Sequence, residues 1–138
     1  MQFGKVLSLV LVLLCTAVAI NAAGYDFVKA EVGNVDIDVT NPTAKTIYVE
    51  RGETVDIDVE FIGTADVEDV RVKAEIEGYD DDIEDKTSRF DVQNGLTYTK
   101  DLSLEIPDDI DASEEYTIVL TIADQSESTS IEIPLKIE

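Results

Sequence analysis

From Tyr25 onward, apolar and polar residues alternate along the chain. Val35-Asp36-Ile37-Asp38-Val39 has period two, and so does Val55-Asp56-Ile57-Asp58-Val59-Glu60-Phe61. The pattern continues through Val70–Ile76, Leu102–Ile106, Tyr116–Ile122 and Ile131–Ile137. Successive side chains of a β-strand point to opposite faces, so each stretch reads as a strand with one buried face and one wet face. Turn chemistry falls between these stretches: Asn41-Pro42, Arg51-Gly52, Gly63, Gly78, Asn94-Gly95 and Pro107-Asp108-Asp109. The pattern predicts strands near 26–32, 35–39, 46–50, 53–61, 69–77, 86–92, 97–106, 115–123 and 129–137. Arg51-Gly52-Glu53 reads as a hairpin connection, and Asn94-Gly95 as a tight turn between two strands. No stretch carries a helical stripe.

Short strands with regular turn signals indicate an all-β fold, an antiparallel immunoglobulin-like β-sandwich of about seven strands. Some of the short early strands merge or form edge pieces in this reading. Pro134 inside the last strand pattern marks an edge or a bulge, because proline cannot donate to a ladder. Phe61, Tyr79, Phe90, Tyr98 and Tyr116 read as core or sheet-end packing. The Cys–Trp–Cys signature of antibody domains is missing, so apolar packing alone must hold the sheets together.

The first residues differ in kind. Lys5 precedes an uncharged apolar run from Val6 to Ile20, and small residues follow at Ala22, Ala23 and Gly24. This is the layout of a secretory signal peptide, assigned to 1–23, with the sandwich domain at 24–138. The run is about 15 residues, short of the roughly 20 of a membrane helix. Membrane contact is therefore expected only if the segment is retained as an anchor. Cys15 is the sole cysteine of the 138 residues and lies inside this run, preceded by Leu14, which does not suit lipid attachment. Cleavage leaves a mature chain without thiols, which suits a secreted or cell-surface location without disulfides.

Composition then narrows the chemistry. The chain has 10 basic and 31 acidic residues, a formal charge of −21, and no His or Trp. Removing 1–23 takes away Lys5 alone, leaving nine basic residues against 31 acidic ones and a net charge of −22. Alternation with β-branched residues makes most of these carboxylates the wet face of a sheet rather than a sign of disorder. Such charge argues against nucleic acid as a partner, since phosphate recognition needs Lys and Arg. The lack of His removes imidazole acid–base chemistry and any Ser–His–Asp triad. No Gly-rich phosphate loop is present, and Asn41-Pro42-Thr43 fails as a glycosylation sequon because of its proline. With 31 carboxylates, pairs at glycosidase spacing arise by chance and carry no signal.

Several stretches resemble a known group. Tyr48-Val49-Glu50-Arg51-Gly52-Glu53-Thr54-Val55 resembles the strand, Arg-Gly-acid, strand opening of small Ig-like modules in archaeal secreted and cell-surface proteins. Val70–Tyr79, Phe90-Asp91-Val92 with Gly95–Lys100, and Leu104-Glu105-Ile106-Pro107 extend the likeness, which is similar to CARDB and related adhesion-type sandwiches over about 48–137. The resemblance implies a non-catalytic spacer or interaction module and carries no catalytic residues with it.

One acidic cluster breaks the alternation. Asp80, Asp81, Asp82, Glu84 and Asp85 follow Gly78-Tyr79 and are expected in an inter-strand loop. Calcium takes about six to eight oxygens, which a carboxylate-rich loop can supply. Asp108, Asp109, Asp111, Glu114 and Glu115 form a second acidic set, able to join the first only if both loops share one end of the sandwich. The leading reading is a secreted or cell-surface, non-catalytic module that contacts cell-envelope or surface proteins, needs no cofactor, and has an open oligomeric state. An edge strand offers strand addition to such a partner. The alternative is a weak calcium-binding module using the loop 80–85.

Overall fold

The computed structural model describes residues 23–138. The segment 1–23 read as a signal peptide lies, apart from Ala23, outside the described residues, as does Cys15. Ten strands follow in order: β1 (Tyr25–Val32), β2 (Val35–Ile37), β3 (Ile47–Val49), β4 (Thr54–Gly63), β5 (Val67–Glu77), β6 (Ile83–Lys86), β7 (Phe90–Val92), β8 (Thr97–Glu105), β9 (Tyr116–Ala123) and β10 (Ser128–Ile137), with a short 3₁₀ turn at Pro42–Ala44. Among the described residues no helix is long and apolar enough to cross a membrane. The strands form two sheets, a four-stranded one in the order β2-β1-β4-β8 and a six-stranded one in the order β3-β10-β9-β5-β6, with β7 also pairing β5. The expectation of about seven strands falls short because β2, β3, β6 and β7 are pieces of three or four residues.

The inward residues are those the alternation marks. Val55, Ile57, Val59 and Phe61 of β4 are buried against Val72, Ala74 and Ile76 of β5, Ile118, Leu120 and Ile122 of β9, and Ile133 and Leu135 of β10 within one cluster. Among the described residues no charged or hydrophilic residue is buried. At one end Phe61 stacks on Tyr98 with ring centroids 5.3 Å apart, and Phe90 packs at 6.1 Å from both. Lys100 Nζ covers the Phe90 ring at 4.0 Å. Phe61 and Tyr116 are core, as the sequence predicts, and Tyr79, Phe90 and Tyr98 pack against it.

Three local expectations change. The Arg51-Gly52 turn is not a hairpin: β3 pairs β10 in parallel, whereas β4 pairs β1 and β8 in the other sheet. The turn crosses between sheets, held by Gly52 N–H on Ile106 O and Arg51 Nε on Ile110 O. Among the described residues β3–β10 is the one parallel pair in an otherwise antiparallel sandwich. Asn94-Gly95 likewise joins β7 to β8 across the sheets rather than within one ladder. Its backbone docks on Gly63, where Gly95 N–H reaches Gly63 O and Gly63 N–H reaches Leu96 O. A Cβ at Gly63 would collide with Gln93 O, so this approach requires glycine. The predicted strand 86–92 breaks at Thr87–Arg89 into β6 and β7, with Thr87 bonding Val72 through both backbone and hydroxyl.

The edges are uneven. β10 pairs β9 from Ser128 to Leu135, but β3 covers only Leu135–Ile137 on its other side. Pro134 therefore sits where β10 is still an edge, as its missing N–H requires. Near the start of the domain, the buried Tyr25 donates its hydroxyl to Asp124 Oδ2 and Glu127 O at 2.9 Å each, tying β1 to the β9–β10 turn.

Charge is distributed by register. On the outer face of the four-stranded sheet Asp36 opposes Glu31, Glu31 opposes Asp58, and Asp58 opposes Asp101, a row of carboxylates across all four strands. Like charges directly opposite are destabilising. The Asp101 carboxyl facing it across the strands, then burial and the nearby charges of Glu31 and Asp56, hold Asp58 above its ordinary value. Asp38 is held low, first by the Thr40 hydroxyl. For Asp124, burial opposes the shift, but the Ser126 and Glu127 N–H groups and Tyr25 outweigh it and hold the group low.

Two outcomes follow for stability. Tyr25→Phe removes the tie to the β9–β10 turn and costs about 1–2 kcal/mol, read as a lower Tm with unchanged circular dichroism. Asp58 has a raised folded value, so its pair costs stability when fully ionised and that cost is relieved as pH falls through the folded value. Asp38 and Asp124 act oppositely, contributing stability that is lost only as pH falls through their lowered values. Wild-type Tm therefore rises as pH falls from 7 toward the raised value of Asp58. Asp58→Asn raises Tm at pH 7 and flattens that rise; a lower Tm for the variant at pH 7 refutes the reading.

Candidate binding surfaces

The acidic loop is shorter than its sequence implies. Ile83 is buried and opens β6, so Glu84 and Asp85 lie on a strand and only Asp80, Asp81 and Asp82 remain in the turn after β5. Glu84 pairs opposite Glu75 on the outer face. Asp85 is used internally: its Oδ2 accepts the Ser103 N–H of β8 at 2.9 Å, and its Oδ1 accepts the Lys86 N–H. A predicted ligand is thus a tie between the adjacent edges of the two sheets.

The second acidic loop does share this end of the sandwich. Tyr79 donates to Asp109 Oδ1 at 3.0 Å. A depression of about 480 Å³ on one side of it is lined by Asp80, Asp109, Asp111 and Glu114, and another on the opposite side by Asp81, Asp82, Glu84 and Glu105. Asp111 is turned onto Ser113, whose hydroxyl and N–H hold it below its ordinary value. The bond to Asp109, then burial and acidic neighbours, push the Tyr79 phenol up. Among the described residues no three carboxylates converge so that they could hold a metal ion.

The outer face of the six-stranded sheet has a different character. The register lays out rows across it: Tyr48 beside Lys136, Pro134 beside Thr117 and Glu77, Glu132 beside Val119 and Glu75, Ser130 beside Thr121 and Lys73, and Ser128 beside Ala123 and Arg71. Glu84 and Lys86 extend two of these rows on β6. Four basic residues share these rows with four acidic ones, and Glu115 lies at their edge, so this face is near balance within a chain of formal charge −21. Its ion pairs are same-strand and loose, Lys73–Glu75 at 3.6 Å and Lys86–Glu84 at 3.9 Å. Arg71 Nε is buried on this face without a hydrogen-bond partner.

At the β3 end of this face lies a groove of about 480 Å³, lined by Thr43, Thr46, Tyr48, Glu115, Thr117, Glu132, Pro134 and Lys136 with part of Tyr116 and Leu135. Tyr48 is 59% exposed, an unusual position for a large aromatic residue. Sequence reasoning passed over Tyr48 as a strand residue. The signal available was its place between Ile47 and Val49, which sends an aromatic ring to the wet face of a strand too short to bury it.

No family model matches the sequence, and neither does any curated protein. Solved structures do resemble the fold. The C-terminal domain of wzt is 14% identical, with a TM-score of 0.56, covering 86% of this chain and 75% of that one. A Niemann-Pick type C2 protein from Japanese carpenter ant is 14% identical, with a TM-score of 0.57 over 85% of this chain and 95% of its own. A family 123 glycoside hydrolase from Clostridium perfringens is 7% identical with a TM-score of 0.58, covering 84% of this chain but only 27% of the hydrolase. At these identities the likeness establishes the architecture, and the chain is an all-β sandwich of the kind found within diverse proteins.

Proposed function

We propose that the chain is a secreted or cell-surface, non-catalytic β-sandwich, an immunoglobulin-like module that works by contact within the cell envelope. The observation that carries this reading is the difference between its two outer faces. The four-stranded sheet presents the row Asp36, Glu31, Asp58, Asp101, which repels other acidic surfaces. The six-stranded sheet presents balanced charge, short side chains, an unmet Arg71 donor and the exposed Tyr48 ring. Near-neutral charge lets this face approach a partner that the acidic face repels, and an exposed tyrosine suits an interface, so the second face is the contact face. The non-catalytic reading starts from the missing imidazole, which removes the commonest acid–base group. The apolar leader supports export. Labelled protein binds envelopes of the producing cells, Tyr48→Ala weakens that binding about tenfold or more, and Asp58→Asn leaves it unchanged. Equal binding by wild type and Tyr48→Ala overturns the assignment of the face.

A second reading, a weak calcium site at the acidic end, is favoured by the meeting of the two loops across the Tyr79–Asp109 bond. It expects millimolar calcium to raise Tm more than sodium chloride of equal ionic strength, and Asp80→Asn to reduce the difference. Equal shifts from calcium, magnesium and matched salt mean diffuse screening and end that reading.

A further inference from the structure

Two neighbouring regions at the Tyr116 end of the sandwich differ in whether their polar side chains are already spoken for, and Tyr116 lines both. On the side of the acidic loops, Asp85, Asp109 and Asp111 are committed to Ser103, Tyr79 and Ser113. Around the Tyr48 groove, the side chains of Thr43, Thr46, Thr117, Glu115, Glu132 and Lys136 line open space. Among the described residues none of them makes a hydrogen bond or ion pair within the chain, whose side-chain bonds run elsewhere. The groove thus offers hydroxyls that donate and accept, carboxylates that accept, one ammonium that donates, and two flat apolar surfaces in the Tyr48 and Pro134 rings.

That combination fits one class of occupant. A nucleotide or other anion meets Glu115 and Glu132 with Lys136 alone to offset them. An apolar peptide side chain or acyl chain wants a deep apolar pocket, whereas this groove is open and its wall is half polar. A neutral sugar ring has an apolar C–H face to lie on an aromatic ring and a rim of hydroxyls needing both donors and acceptors. The volume of about 480 Å³ lies within the usual range for small-ligand sites. The strand pairing supports the geometry: Lys136 lies opposite Tyr48, and Pro134 is two residues before Lys136 on the same face of β10. Polar groups therefore border the ring on the sheet side, while Thr43 and Thr46 border it from the chain leading into β3.

We infer that the Tyr48 groove is a binding site for neutral saccharide units of surface glycans, with the Tyr48 ring as the stacking platform and Thr117, Glu132 and Lys136 bonding the sugar hydroxyls. This rests on the proposed contact face and names its ligand. Binding without hydrolysis is the outcome: the groove holds the sugar and transfers nothing.

The test uses purified protein on envelopes of the producing cells, untreated, oxidised with periodate to open vicinal diols, or digested with protease. Neutral oligosaccharides, hexose and N-acetylhexosamine series, serve as competitors and as titrants in calorimetry. The inference expects periodate to abolish binding, protease to leave it, and at least one neutral series to compete. It expects Tyr48→Ala to weaken saccharide binding about tenfold, Tyr48→Phe to weaken it less than about threefold, and Glu132→Gln to weaken it while circular dichroism stays unchanged. Binding that survives periodate, is lost to protease and still depends on Tyr48 overturns the saccharide and leaves a protein partner on the same face. Binding indifferent to Tyr48→Ala overturns both the saccharide and the face.

Discussion

The fold depends on burying every second residue of its strands between two sheets. With Cys15 as the only cysteine, no disulfide can share that task, and the formal charge of −21 opposes compaction. Fully burying one Val, Leu or Ile side chain is worth about 1.5–3 kcal/mol. A like-charge pair directly across two strands costs about 0.2–1 kcal/mol. The inner face therefore outweighs the outer one residue for residue, and a row such as Asp36, Glu31, Asp58 and Asp101 is tolerated on a strand set that buries Ala30, Ile57, Val59 and Leu102 beneath it.

That dominance lets the two outer surfaces diverge. One sheet carries uncompensated carboxylates that oppose one another strand by strand. The other carries Arg71, Lys73, Lys86 and Lys136 together with Glu75, Glu77, Glu84 and Glu132 around a central line of Thr117, Val119 and Thr121. A chain repelled by acidic surfaces on one side and neutral on the other has a direction in which it can approach a partner. The exposed Tyr48 and its unpaired polar neighbours lie on the neutral side. The many carboxylates at the acidic end are, by contrast, partly consumed in holding loops and sheet edges together, Asp85 on Ser103 and Asp109 on Tyr79.

Much of the fold was legible because strand periodicity is a local property. The long strands β4, β5, β8, β9 and β10 fall where alternation placed them, to within two or three residues at each end. The misreadings have a common cause. Arg51-Gly52 and Asn94-Gly95 have hairpin chemistry, yet each joins strands of different sheets, since a turn's residues fix its bend and not the partners of the strands it connects. The site was less legible. Asp80–Asp85 stood out as a run of acids, but Ile83 is drawn into the core and carries Glu84 and Asp85 into a strand.

The sequence by itself determined the all-β class, the inward set of apolar residues, the charge of the wet faces and the absence of imidazole chemistry, because each follows from residue type and period. The tertiary structure decided which strands are neighbours, and with that which charges meet. The carboxylate row, the balanced opposite face, the meeting of the two acidic loops and the groove beside Tyr48 all join residues distant in sequence. No periodicity of a single chain encodes such pairings; only the register between strands and the packing of the sheets creates them.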